Sequence, residues 1–184
     1  MKNAMRMFML SIMVFCGCAT ATVSSDFNRS TDFSKLKTYD WSSAQAPAGD
    51  IRFDDPALQT VIKQSVDAEL QAKGFQKSTS GQPDLLLKYY VTVEQKEKFP
   101  TDFAPPPFNP RAGVTGMSSY AVRETTAIHY EEGTFVLDMT EPASGKILWR
   151  GMMQGMVDPG GTPEKRVARA PGAVAKVLAK FPPA

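Results

Sequence analysis

Residues 85–94, LLLKYYVTVE, decide the fold. Alternate positions are apolar or aromatic: Leu85, Leu87, Tyr89, Val91 and Val93. The positions between them are more polar: Leu86, Lys88, Tyr90, Thr92 and Glu94. Because successive side chains of a strand point to opposite faces, this alternation predicts a long strand with one buried face. The sheet that contains the strand therefore needs another layer to cover that face.

The segment upstream of this strand predicts a helix over Pro56–Lys73. Asp55 before Pro56 is typical of an N-cap followed by proline in the first turn, and Gly74 is typical of a helix end. Apolar residues recur three and four positions apart: Leu58, Val61, Ile62, Val66 and Leu70. We expect an amphipathic helix that packs on the sheet.

Further strands are predicted on both sides of this strand and helix. Apolar and aromatic residues between turn formers indicate strands at Val23–Asn28, Lys37–Ser42, Ser119–Tyr130, Thr134–Met139 and Lys146–Met153. The last two are joined across Thr140–Gly145, where Pro142 and Gly145 favour a turn, so we expect them to pair as a hairpin.

A second helix is predicted after Thr162-Pro163-Glu164. Pro171-Gly172 interrupts its apolar pattern, which predicts a kink or two consecutive helices, and Pro182-Pro183 ends it. The predicted fold class is α+β, with an antiparallel or mixed sheet of about five to six strands and two main helices packed on one face.

The N-terminus has the pattern of an export signal. Lys2 and Arg6 precede the apolar run Met7–Phe15, whose nine residues would span only about 14 Å as a helix, against about 30 Å for a bilayer core. Gly17 before Cys18 is typical of a lipidation site, whereas the bulky Phe15 before Cys16 is not.

Three segments follow from this interpretation: a signal peptide over 1–17, a lipidated Cys18 with a short tether over 18–22, and a single domain over 23–184. The lipid would hold the protein permanently at a membrane. The alternative is cleavage after Ala21, which would release a soluble periplasmic protein.

Charge and cysteine content limit the classes of function that we expect for this chain. The chain has 21 basic and 19 acidic residues, and the signal removes two basic ones, which leaves 21 − 2 = 19 of each sign. No basic block or motif for nucleic acid is present, so no nucleic-acid partner is expected. With Cys16 lost and Cys18 acylated, no thiol remains for a disulfide or for catalysis.

The remaining candidates for chemistry are weak. His129 is the one histidine, and with Glu131, Glu132 and Asp138 it could form a metal or acid–base site, but zinc sites draw on several His or Cys ligands. We therefore predict no metal, no cofactor and no catalytic residue. The turn Asp158–Thr162 is interpreted as a helix entry rather than an anion cradle.

Two groups of aromatic residues could contact a ligand or a partner. The first group lies at alternating strand positions beside apolar residues, which favours a core over a ligand groove: Trp41, Trp149, Tyr39 and Tyr89. The proline-rich loop 99–118 is the candidate partner contact, through Phe99, Phe103, Pro106 and Phe108. The alternative for this loop is a tolerated insertion between two strands.

Several short motifs occur in the order and spacing of a known family. They are Asp32-Phe33-Ser34, Lys37-Thr38-Tyr39-Asp40-Trp41, Lys73-Gly74-Phe75, Pro83-Asp84-Leu85-Leu86-Leu87, Glu132–Asp138, Leu148-Trp149-Arg150-Gly151 and Phe181-Pro182-Pro183. With the cysteine at 18, the chain resembles the bacterial lipoprotein family called domain of unknown function 4136. The proline-rich loop and Pro171 are departures from that family's pattern.

The resemblance implies a membrane-anchored envelope domain without an assigned enzymatic activity. Ala19, rather than an aspartate, follows the lipidated cysteine, which by resemblance to Gram-negative lipoproteins implies the outer membrane. We expect a non-enzymatic binding or accessory module that faces the periplasm and binds another envelope protein or the cell wall. The alternatives are a carrier of a small apolar ligand and an envelope hydrolase.

Overall fold

The structure is a computed structural model that describes residues 21–43, 49–79, 81–98 and 127–183. Its strands are β1 (Thr22–Phe27), β2 (Thr38–Trp41), β3 (Gln76–Lys77), β4 (Leu85–Lys98), β5 (Ile128–Thr140) and β6 (Ile147–Met156). Its α-helices are α1 (Pro56–Ala72) and α2 (Pro163–Leu178). Short 3-10 turns, Phe33–Lys35 and Ile51–Phe53, precede β2 and α1.

The strands form one mixed sheet in the order β1-β6-β5-β4-β2-β3. The pairs β1–β6, β6–β5 and β5–β4 are antiparallel, whereas β2 is parallel to both β4 and β3. This six-stranded mixed sheet with two helices confirms the predicted α+β class. The predicted hairpin across Thr140–Gly145 is confirmed as the β5–β6 pair.

Strand β5 corrects one prediction. The sequence predicts Thr134–Met139 as a strand separate from the one that ends at Tyr130, but β5 runs without a break from Ile128 to Thr140. The polar residues Glu131 and Glu132 stay in the strand because β4 extends to Lys98 and pairs with β5 along its whole length. The predicted residues 119–126 lie outside the described part of the chain.

The core lies between the helices and one face of the sheet. The helices contribute buried residues at spacings of three and four: Leu58, Ile62, Val66 and Leu70 from α1, and Ala170, Val174, Val177 and Leu178 from α2. The sheet contributes alternate residues, including Leu85, Leu87, Leu137, Met139 and Trp149. Tyr39 and Trp149 are fully buried, which confirms the core interpretation, and Trp41 and Tyr89 pack partly buried against the same cluster.

Strand β6 carries a close contact of this core. The indole of Trp149 lies over Gly151 and packs against Phe181, with ring centroids 5.2 Å apart. A Cβ at position 151 would lie 2.2 Å from the Trp149 ring and 2.5 Å from Val177 Cγ1. Glycine is therefore required here by space.

Both helices begin as predicted, but α2 differs from its prediction in the middle. The Asp55 side chain accepts a hydrogen bond from the Ala57 N–H at 2.7 Å, and α1 ends before Gly74, whose φ is +87°. Helix α2 continues through Pro171, so the alternative of two consecutive helices is wrong. Pro171 lies on the exposed side of α2, while buried Ala170 and Val174 hold both halves against the core.

One carboxylate joins the beginnings of two parallel strands. Asp84, just before β4, accepts hydrogen bonds from the backbone N–H groups of Lys37 and Thr38, both at 2.8 Å. The Thr38 hydroxyl donates to the same carboxylate at 2.9 Å. These bonds, above all those from the two backbone N–H groups, lower the pKa of Asp84 and set β2 in register with β4.

Candidate functional site

The helices leave the second face of the sheet open, and we call this surface the open face. It is formed by the even-numbered residues of β1, β4 and β5 and by those of β6 from Arg150 onwards. The core uses the odd-numbered residues together with Leu148, which precedes Arg150 next to the shift in register at Met139 and Thr140. Neither α1 nor α2 packs on it. Because alternate side chains of neighbouring strands line up across a sheet, the open face is organised in rows.

One row is charged with alternating sign across four strands: Asp26, Arg150, Asp138 and Lys88. Arg150 donates from Nε to Oδ1 of Asp138 at 2.6 Å and from Nη2 to Oδ2 at 2.7 Å. Asp138 is only 6% exposed. The hydrogen bonds to Asp138 raise the pKa of Arg150, and the charge of Asp26 adds to this effect. The bidentate geometry makes this pair the most strongly held part of the open face.

The next rows change from apolar to polar towards one end of the sheet. Met152, Val136 and Tyr90 form the row beside the charged one, and Gln154, Thr134 and Thr92 form the row after that. Val136 is buried by its neighbours although it is on the open face. The row after these holds Met156, Glu132 and Glu94. Beyond it, β4 and β5 continue as a two-stranded ribbon to Lys98 and Ile128.

The helix-side face of this ribbon holds a second charged cluster. Arg52 donates to Oδ2 of Asp50 at 2.8 Å and to Oε2 of Glu131 at 2.6 Å, and Gln95 donates to Oε1 of Glu131 at 2.7 Å. Hydrogen bonds from Arg52 lower the pKa of Asp50 to about 2 and also lower the pKa of Glu131. The bonds from Arg52 hold the loop before α1 against β5.

The structure separates the residues considered for a metal or acid–base site. His129 lies 3.3 Å from Glu97 through Nδ1, and Glu131 on the same face is bound by Arg52 and Gln95. Asp138 lies on the opposite face with Arg150. Within residues 21–43, 49–79, 81–98 and 127–183, no three His, Cys, Asp or Glu side chains are grouped to hold a metal ion.

The turn Asp158–Thr162 is a helix entry, as predicted. Thr162 is the N-cap of α2 and accepts from the Lys165 N–H at 3.4 Å, and Gly161 N–H donates to the Asp158 carbonyl at 2.9 Å. Arg166 donates to the Gly161 carbonyl at 2.7 Å. These bonds hold the turn at the start of α2.

The predicted site residues Cys18, Phe99, Phe103, Pro106 and Phe108 lie outside the described residues. The structure does locate the positions where their segments join the fold. Strand β4 ends at Lys98 and β5 begins at Ile128, at the same end of the sheet where β1 begins with Thr22.

The open-face rows could not be found from the sequence, although their alternation is visible within each strand. The pairing of Asp138 with Arg150 depends on the register of β5 against β6. That register depends on the whole sheet.

In the described residues, no helix is both long and apolar enough to cross a bilayer.

Comparison with known proteins gives a family and a fold. The family model "Domain of unknown function (DUF4136)" matches residues 23–183. A PDZ domain protein from Parabacteroides distasonis is similar in structure, with a TM-score of 0.55 and 14% identity over 89% of this chain and 36% of that chain. The chain therefore corresponds to about a third of that protein's length.

A PelC dodecamer from Paraburkholderia phytofirmans is similar at a TM-score of 0.46 and 13% identity, over 87% of this chain and 96% of that chain. No functionally curated protein matches the chain.

Proposed function

The chain belongs to the family of domain of unknown function DUF4136, and on that premise we propose that it is a lipid-anchored envelope protein that binds another envelope protein. Lipid on Cys18 holds it at the periplasmic side of the outer membrane. The domain itself acts as a non-enzymatic binding module. The observation that supports this function best is the open face, a broad ordered surface that the two helices leave free.

The open face has the composition of a recognition surface. It contains the Arg150–Asp138 pair, held by two hydrogen bonds of 2.6 and 2.7 Å, and Met152 and Tyr90 lie in the neighbouring row. Arginine, tyrosine and methionine are enriched in protein interfaces. A rigid sheet that presents them needs little ordering when a partner binds.

The described core favours a binding module over the ligand carrier. The space between sheet and helices is filled by side chains with no exposed surface, among them Leu70, Leu87, Leu137 and Trp149. A shallow depression of about 390 Å³ lies instead at the β3 edge and is lined largely by polar or small residues: Gln71, Gly74, Phe75, Gln76 and Lys77.

Lipidation is tested by the mass of the mature N-terminal peptide. The Cys18→Ser variant should lose both processing and membrane association, and Cys16→Ser is the matched control that should keep both. A wild-type N-terminal peptide that begins at Thr22 without lipid would show that the signal is cleaved after Ala21 and that the protein is free in the periplasm.

Partner binding is tested by crosslinking in intact cells. A photoreactive amino acid at Thr92, on the open face, should capture one defined protein, whereas the same amino acid at Gln64, exposed on α1, should not. Reciprocal crosslinking from the captured protein should return this chain. Deleting Phe99–Ser118 should abolish the adduct if the proline-rich segment contributes. Equal labelling from Thr92 and Gln64 would contradict the proposal.

A further inference from the structure

We infer that the end of the β4–β5 ribbon rests on the bilayer through its open face, and that Ile128 and Met156 enter the headgroup region. We call this surface the anchor-end patch, and it consists of Ile128, Tyr130, Met156, Lys96 and Lys98. The inference rests on the proposed lipidation of Cys18 and adds to it a contact between the folded domain and lipid.

The tether brings this part of the sheet to the membrane. Thr22 pairs with Gln154, and Ala21 packs beside Gly155, where a Cβ would lie 3.4 Å from the Ala21 Cβ. Only three bonds between successive residues separate Ala21 from Cys18, so their Cα atoms are at most about 11 Å apart. Met156, the residue after Gly155, is therefore held near the lipid.

The ribbon extends past the row where β1 begins. Thr22, Gln154, Thr134 and Thr92 lie in one row across four strands. Lys98 lies six residues beyond Thr92, a distance of up to about 20 Å along a strand. The chain from Cys18 to Thr22 reaches at most about 14 Å. The ribbon therefore projects further from this row than the tether can reach. When the strands point towards the membrane, the end of the ribbon must contact the bilayer.

The two faces of the ribbon end differ in polarity. On the open face, Met156 is 73% exposed and Ile128 is 55% exposed. Met156 is in register with Glu132, half-buried Tyr130 lies one row further along β5, and Ile128 lies in the row after that. Lys98 is in register with Ile128 and Lys96 with Tyr130, and Lys96 Nζ lies 2.7 Å from Oε2 of Glu94 on the same face. On the helix side, the same stretch carries Gln95, Glu97, His129 and Glu131.

This arrangement matches the chemistry of a phospholipid surface. Exposed apolar side chains gain free energy when they leave water for the acyl boundary. Lys98, at the tip of the ribbon, can lay its apolar stem along such a surface and direct its ammonium group to a phosphate, and tyrosine is suited to the same interface. The helix-side face has no apolar residue to insert, so the ribbon would lie with its open face down.

The test uses the lipidated full-length protein in vesicles of phosphatidylethanolamine and phosphatidylglycerol. The mature chain has no other free thiol, so Ile128→Cys or Met156→Cys can be labelled singly with an environment-sensitive fluorophore. Matched controls are His129→Cys, on the opposite face of the same ribbon end, and Ile147→Cys, exposed at the far end of the sheet. Lipids with a nitroxide in the headgroup serve as quenchers.

We expect a blue shift and a loss of fluorescence at positions 128 and 156, and neither change at 129 or 147. If the N-terminal peptide carries lipid and the vesicles retain the protein, but all four positions respond alike, the anchor-end patch is wrong and the lipid anchor stands. If the peptide carries no lipid, the tether does not exist and both proposals fail.

Discussion

Replacing Gly151 by alanine should destabilise the domain strongly although it adds one methyl group. The new Cβ would lie 2.2 and 2.9 Å from atoms of the Trp149 ring and 2.5 Å from Val177 Cγ1. Trp149 and Val177 both have no exposed surface, so neither can move into solvent. Overpacking of this kind costs about 1–3 kcal/mol, and with two rigid buried neighbours we expect about 3 kcal/mol.

The measurement is urea denaturation followed by tryptophan fluorescence, with the melting temperature as a second observable. For a domain of this size, a loss of about 3 kcal/mol should lower the melting temperature by about 6–12 °C. Gly172→Ala is the matched control, because position 172 is exposed in α2 and nothing lies within 4 Å of its added Cβ. That variant should gain about 0.5–1 kcal/mol, since alanine favours a helix.

A double variant tests the physical cause. Val177→Ala removes one of the two side-chain groups that the added Cβ of Gly151→Ala would meet, so the two changes together should cost less than the sum of their separate costs. Additive costs would show that the contact with Val177 contributes nothing to the destabilisation. A melting temperature of Gly151→Ala equal to that of the wild type would refute the described packing of Trp149 itself.

Three further predictions concern the carboxylates. Arg150→Leu should cost about 2 kcal/mol in urea denaturation because Asp138 then stays buried without its partner. Arg150→Leu with Asp138→Leu should cost less. The pKa of Asp50 is lowered from 3.8 to about 2 in the folded state, so its stabilising effect is present above pH about 4 and is lost as pH falls towards about 2. Stability measured against pH should therefore fall more steeply in the wild type than in Asp50→Asn. Asp84→Ala should cost about 1–3 kcal/mol in urea denaturation, because the N–H groups of Lys37 and Thr38 and the Thr38 hydroxyl lose a charged acceptor. A variant as stable as the wild type would contradict that role.

Short-range patterns predicted the elements whose structure depends on neighbours along the chain. The apolar spacing of Pro56–Lys73 and the alternation in Leu85–Glu94 each contain enough residues to distinguish a period of 3.6 from a period of two. The caps of both helices were predictable for the same reason, since Asp55 and Thr162 act on N–H groups two or three residues away.

Features that depend on distant partners could not be predicted in this way. Strand β3 has two residues and exists only because β2 pairs with it. Residues 95–98 and 131–132 are polar and resemble a loop, yet they pair along the β4–β5 ribbon. Pro171 should break a helix, but packing of α2 against the core keeps one helix. The open-face charge row likewise needs the register of four strands.

The pairing of the first strand with the last has a consequence for how the domain folds. Thr22 and Gln154 are partners across 154 − 22 = 132 residues of chain. Contacts over such a separation must overcome a large loop-closure entropy, and they slow folding. Since β1 pairs with no other strand in the described sheet, its edge cannot close before β6 is available. When the chain emerges with its N-terminus first, β1 therefore stays unpaired until β6 has also emerged.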